Sequence, residues 1–129
     1  MHSSPILDFL VRIKNAYAVG KKTIKSPSSK TRESIAKLMV KHSYLDNFSV
    51  EGKTKKIITL KLSYNDKEPS FTNLKIFSKP GRRIYSPVSS LPWGKTKNSL
   101  IIVSTSTGII SHKEAKKQNV GGEIIAEIW

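Results

Sequence analysis

The chain has 129 residues, no cysteine, and 23 Lys and Arg against 9 Asp and Glu, giving a net charge of +14. That length supports one modest core or two small lobes sharing an interface, and the absence of thiols excludes disulfides and cysteine-based metal or redox chemistry. The charge is no tail: residues 1–66 carry 13 basic and 5 acidic side chains and residues 67–129 carry 10 and 4, a distribution that points to a polyanionic partner, with a solvated basic surface as the other reading.

In chain order, "SSPILDFLVRIKNAYAV" places Ile6, Leu10, Ile13 and Tyr17 at helical spacing, with Phe9 beside them. Ser4 is a candidate N-cap, Pro5 suits the first turn, and Asp8 lies near the positive end of the helix dipole. Apolar residues here alternate with Asp8, Arg12 and Lys14, so the segment reads as neither membrane anchor nor secretion signal. "GKKTIKSPSSK" follows as a loop or short strand. A second amphipathic helix is expected from Lys30 to His42, with Ile35, Leu38 and Met39 on one face and His42 continuing it as a partly buried structural histidine.

The period then changes from 3.6 to 2. Ile58, Leu60, Leu62 and Tyr64 alternate with Thr59, Lys61 and Ser63, and "EGKTK" separates that strand from a shorter one around Phe48 and Val50. "FTNLKIFS" is a third strand, ended by a turn at Pro80 and Gly81. The order predicts an α+β fold of two small lobes: an N-terminal lobe, 1–80, with helices packed on a short antiparallel sheet, and a β-rich C-terminal lobe, 81–129, with one short helix. "SPVSSLPWGKTKNS" reads as the connection. Beyond it, "SLIIV" is a strand, "STSTG" a turn and "SHKEAKKQN" a helix whose Ser111 and Glu114 have capping-box spacing. "VGG" is expected to close that helix through a left-handed glycine, and "EIIAEIW" to form a strand with Ile124, Ala126 and Ile128 on one face.

Catalytic chemistry finds no support. His2, His42 and His112 are scattered, His112 reads as solvent-facing, and no HExxH, GxSxG, carboxylate pair or phosphate-cradling GK[ST] loop accompanies them. No catalytic residue, metal ligand or cofactor is expected. Binding chemistry fits better. Ser104 and Ser106, two apart in extended chain, would present their hydroxyls on one side with Thr105 opposite, and Gly108 would allow the turn. Such hydroxyls can read base edges, ribose or phosphate; a plain polar hairpin turn is the other reading. Arg82 and Arg83 lie near Tyr85, and an aromatic ring beside guanidinium groups can stack and clamp single-stranded or irregular RNA, although Tyr85 also fits an ordinary strand position. Lys113, Lys116 and Lys117 on the short helix offer phosphate contacts that set position.

Four motifs in order carry a family resemblance across nearly the whole chain. "STSTGIISHKEAKKQNVGGEIIAEIW", "SSPILDFLVRIKNA", "PSSK" and "KPGRRIYSPVSSLP" resemble the corresponding segments of the bacterial-type small-subunit ribosomal protein eight family. The resemblance implies a two-lobe α+β fold and a non-enzymatic constituent of the 30S subunit that binds the central domain of 16S-type ribosomal RNA and helps assemble the platform. Neighbouring small-subunit proteins, and its own messenger RNA in a repressor role, are further implied partners; a membrane is not. It places the protein on a cytoplasmic bacterial ribosome, with an organellar ribosome also compatible. Carried over by residue, Ser104, Thr105, Ser106 and Gly108 would form the RNA-reading loop, Tyr85 would contact or stack near it, and Gly121, Gly122 and Glu123 would lie beside it. On this reading a shielded Glu123 accepts hydrogen bonds from base or ribose donors. The chain departs from the pattern at Ser4, at Thr107 where a basic residue is usual, at "KTKNS" where a glycine-containing segment is expected, and at Lys116, which lacks the bidentate geometry of arginine.

Overall fold

The computed structural model describes residues 5–129, so the expected Ser4 cap lies outside the described residues. Helix α1 (Pro5–Ala18) starts on the proline and buries Phe9, Leu10, Ile13, Ala16 and Tyr17, the stripe that 3.6-residue spacing selects. Strand β1 (Thr23–Pro27) leads into α2 (Lys30–Lys41), which is capped by the Ser29 hydroxyl accepting from the Arg32 N–H at 3.1 Å and ends with His42 as its C-cap. Strands β2 (Asn47–Glu51) and β3 (Ile57–Lys61) form a hairpin, and β1 completes a three-stranded antiparallel sheet in the order β1-β3-β2. Alternation holds in β3, where Ile58 and Leu60 are buried between more exposed neighbours.

A small ribbon, β4 (Tyr64–Asn65) and β5 (Glu68–Pro69), precedes β6 (Leu74–Ile76) and β7 (Tyr85–Ser86). After a 3-10 turn at Val88–Ser90 come β8 (Leu100–Thr105), β9 (Gly108–Ser111), α3 (His112–Gln118) and β10 (Gly122–Ile128). The second sheet runs β6-β10-β8-β9, with β7 also paired to β10. The architecture is α+β, with N-terminal helices and a β-rich C-terminal region. Strand β6, expected to follow the first hairpin, instead joins β10: Leu74 pairs with Ile128 and Ile76 with Ala126.

The β8–β10 pair separates two apolar clusters. Leu100, Ile102, Ile125, Ala126 and Ile128 face the larger one, with the α1, α2 and β3 residues. Ile101, Val103 and Ile124 face the smaller one, with Leu91 and Ala115. A register shift between Ile124 and Ala126 makes this division. The extra residue at a bulge reverses the alternation, so Ile124 lies on the opposite face from Ala126 and Ile128, correcting the expected single apolar face.

Two further expectations change. Helix α3 ends on Asn119 in the left-handed conformation (φ 57°, ψ 45°), so the glycines do not cap it. Gly121 and Gly122 answer a packing constraint instead. A Cβ on Gly121 would come within 2.8 Å of the Pro87 Cα and run into the Ser86 carbonyl, and one on Gly122 would strike the Ser104 carbonyl. His112 is buried at 2% exposure, and its Nδ1 accepts the Ile101 N–H at 3.3 Å. It sits on the first turn of an amphipathic helix whose inner side includes Ala115, which is why polar sequence neighbours gave no hint of burial. The Ser111 hydroxyl does cap α3, accepting from the Glu114 N–H at 3.1 Å; the Glu114 carboxylate turns instead to the Gln118 amide.

Gly122→Ala should therefore lower stability by roughly 1–3 kcal/mol, as overpacking does, read as a drop in urea midpoint at unchanged m-value; an unaltered midpoint would refute the contact. The His112 ring predicts a pH effect. Burial first, then the charges of Lys116 and Lys113, hold its pKa down to about 4 from 6.5. The unfolded chain binds a proton that the folded chain refuses between these values, so this stabilisation is complete above pH 6.5 and lost as pH falls toward 4. Its size is on the order of 3 kcal/mol. Between pH 7.5 and 4.5 the urea midpoint of wild type should drop further than that of His112→Gln; parallel profiles would contradict it.

Candidate nucleic-acid interface

Three strands bring the predicted site together. Tyr85 on β7 and Ser104 on β8 are both direct partners of Glu123 on β10. Directly opposed residues in antiparallel strands point to one face. The row Tyr85–Glu123–Ser104 therefore spans the sheet and continues to Ile109 on β9. The close backbone approach permitted by Gly122 draws β10 against the Ser104 carbonyl at this point. The ring of Tyr85 is 70% exposed, an unusual state for a large aromatic in a sheet.

Beyond Ser104 the chain turns. Thr105 pairs with Gly108, leaving Ser106 and Thr107 as the turn, with Gly108 at φ 126° where a side chain would be strained. Ser106 is thus not in extended chain, and its hydroxyl does not follow the alternation expected from Ser104. Thr105 holds the turn together, its hydroxyl accepting from the Thr107 N–H at 3.1 Å and donating to the Gly108 carbonyl at 2.9 Å. Thr107 is tied to Gln118 of α3 at 3.0 Å. The hydroxyls of Ser104 and Ser106, by contrast, make no hydrogen bond among the described residues. The turn is braced by threonines and presents its serines.

Glu123 has a partner within the chain. Its carboxylate accepts from the Arg83 guanidinium at 3.1 Å, with the two side chains 14% and 50% exposed. Its position therefore does not require RNA donors. Arg82 closes the Pro80–Gly81 turn through paired backbone bonds with Lys79, and its side chain is exposed.

The lysines of α3 differ from one another. Lys113 donates to the Lys97 carbonyl at 2.6 Å, and Tyr44 donates to the Asn98 carbonyl at 2.6 Å. Together with a Thr96–Ser99 closure these bonds order the "KTKNS" turn without a glycine. Lys116 places its ammonium 3.0 Å from the ring centre of Trp93, and burial lowers its pKa. Lys117 is exposed and has no partner among the described residues. Sequence reasoning missed two features. One is Trp93, hidden in what read as linker. The other is the pair Lys37 and Lys41 on α2, which line a groove with Ile109 at the end of the Tyr85–Glu123–Ser104 row. Their helical spacing placed them on the polar face of α2, but nothing local showed that β9 packs beside it.

Among the described residues no group of three His, Asp or Glu is placed to hold a metal ion, and no helix is long and apolar enough to cross a membrane.

A family model described as Ribosomal protein S8 matches residues 4–129. The chain is similar to proteins called small ribosomal subunit protein uS8. That of Mycoplasmopsis synoviae is 43% identical over 129 residues, with 98% of each chain covered. That of Spiroplasma kunkelii is 42% identical over 124 residues with 96% of each covered, and that of Mesoplasma florum is 40% identical over 129 residues with both chains covered in full. The family model and these relatives each span nearly the whole of the chain, and the chain belongs to the ribosomal protein S8 family.

Proposed function

We propose that the chain is a structural, non-catalytic constituent of the small ribosomal subunit, and that it binds the central domain of 16S-type ribosomal RNA through the β7–β10–β8 face. The observation that carries this reading is the pair of unengaged serine hydroxyls, Ser104 and Ser106, beside the exposed ring of Tyr85 in a chain of net charge +14. Short hydroxyls approach base edges and 2′-hydroxyls closely, and an exposed aromatic stacks on unpaired bases. Thr105 and Gly108 shape the turn, and Gly121 and Gly122 let the backbones beneath it come together. Arg83 exchanges Glu123 for a phosphate, freeing the carboxylate to accept from a base or ribose donor. Arg82, Lys113, Lys116 and Lys117 supply positive potential around the turn.

Neighbouring small-subunit proteins are the remaining partners within the particle, and a messenger RNA that presents the same irregular helix would occupy the same face. The N-terminal α+β lobe, 1–80, serves as the support on which the C-terminal lobe, 81–129, is held: it lends β6 to the second sheet, and the lobes share the larger apolar cluster. The decisive experiment is crosslinking of the protein to RNA in cells with sequencing of the bound fragments. One dominant peak in the central domain of the small-subunit ribosomal RNA is expected; a signal spread over unrelated RNAs would overturn the reading.

The turn and the lysines should fail differently. Ser106→Ala should weaken binding to an irregular ribosomal RNA hairpin by roughly 1–3 kcal/mol with the salt slope unchanged. Lys117→Ala should weaken it modestly for every RNA and flatten the slope of log K against log salt by about one unit, from near −4 if about five phosphates are neutralised. Both residues are exposed and without intramolecular bonds among the described residues, so melting temperatures should stay at the wild-type value. If Ser106→Ala binds like wild type while Lys117→Ala alone is defective, recognition is electrostatic and the serines have no part in it.

A further inference from the structure

We infer that Trp93 is a second stacking platform, on which the Lys116 ammonium covers one face of the indole and an unpaired nucleobase of the bound RNA covers the other. The inference rests on the RNA-binding reading above and extends it to a residue outside the Tyr85–Glu123–Ser104 row.

Trp93 is 76% exposed, above Val19 at 72% and Tyr85 at 70%, so it contributes almost nothing to the core. A tryptophan in that position leaves the largest apolar side chain in water, and its burial value is realised only when something lies against it. The ring is nevertheless not loose. Leu91, two residues earlier, is buried in the smaller apolar cluster with Ala115 of α3, which fixes the backbone leading to it. Lys116 lies 3.0 Å from the ring centre and donates to the Pro92 carbonyl at 3.5 Å. A cation held over one face restrains the ring, and a pre-ordered ring loses less entropy when a base stacks on it. Lys116 thereby acts on RNA through the indole.

Position links this ring to the serine turn. Lys116 and Gln118 belong to the same short helix, about 3 Å apart along its axis and pointing to nearly opposite sides of it, and Gln118 accepts the Thr107 hydroxyl of the turn. One rigid element thus carries both the clamp under Trp93 and, through Thr107, a brace of the serine turn. The surroundings favour nucleic acid over a protein partner. Lys113 and Lys117 are exposed on the same helix, and the Glu114 carboxylate beside them is turned to the Gln118 amide. The ion pairs among the described residues, Lys61–Asp46 and Arg83–Glu123, leave the lysines of α3 unneutralised. Sequence-tolerant stacking of a base on an aromatic ring flanked by cations is the chemistry that this arrangement supports.

The test uses the full chain and two RNA hairpins, one with unpaired purines in an internal loop and one fully paired. Trp93→Leu should weaken binding to the irregular hairpin by roughly 5- to 150-fold, the range expected for loss of one base–aromatic stack, with an unchanged melting temperature. Trp93→Phe, which keeps a ring, should recover most of the loss. Tryptophan emission should be quenched when the irregular hairpin binds wild type, and the quenched component should be missing in Trp93→Leu. If wild type binds the irregular hairpin but Trp93→Leu binds equally and no Trp93 emission is quenched, this inference alone is overturned. If wild type prefers neither hairpin over duplex DNA, the RNA-binding reading fails and this inference fails with it. Quenching produced by small-subunit proteins and not by RNA would also overturn it, assigning Trp93 to a protein contact.

Discussion

The register shift in β10 is the constraint on which the C-terminal architecture depends. A regular strand with its composition would place Ile124, Ala126 and Ile128 on one face and leave the other to Glu123, Ile125 and Glu127. The bulge instead gives Ile124 to the smaller cluster and Ile125, Ala126 and Ile128 to the larger one. One seven-residue strand thereby anchors α3 on one side and the N-terminal helices on the other. Glu127, left on a buried position, accepts the Lys95 backbone N–H at 2.6 Å, so its carboxylate fixes the start of the "KTKNS" turn. Burial of such a group without that bond would be costly.

The same strand sets the chemistry of the exposed face. With Ile124 turned inward, Glu123 lies on the opposite side, in line with Tyr85 and Ser104. The double glycine keeps side chains from separating the strands there. A hydroxyl, a carboxylate and an aromatic ring are held there on a backbone that cannot easily shift, and the RNA-binding role proposed above depends on that fixed placement. The bracing of the serine turn follows the same logic: Thr105 and Thr107 use their hydroxyls within the protein, whereas those of Ser104 and Ser106 make no hydrogen bond among the described residues.

Much of this was legible in the sequence. Both long helices, the β2–β3 hairpin and the Ser111 cap follow from local periodicity and capping chemistry, whose causes lie within a few residues. What was not legible depends on residues distant in the chain. Strand β9 is only four residues long, has Ile109 and Ile110 side by side, and runs directly into the α3 cap, so no alternation marks it. The face of Ile124 depends on a bulge set by pairing with β8. The role of Gly121 and Gly122 comes from Ser86, Pro87 and Ser104, and the burial of His112 from a bond to Ile101. For the interface, motif resemblance gathered residues that composition alone left scattered, but it gave neither the Arg83–Glu123 pair nor Trp93, a side chain set in what read as a linker.

The pairing order of β10 also has a consequence in time. Strands β6, β7 and β8 precede it in the chain and all use it as a partner, and the Ser78 hydroxyl bonds to the Ile124 carbonyl 46 positions away. Contacts of this separation close slowly, because chain entropy must be lost before they contribute. The N-terminal helices and the β2–β3 hairpin, built from nearer neighbours, can form first. During that interval the apolar side of β8 and its unpaired edge lie open, and this is the period in which the chain is most exposed to self-association. A high and evenly spread positive charge then acts as a kinetic safeguard: partly folded chains repel one another until β10 closes the sheet.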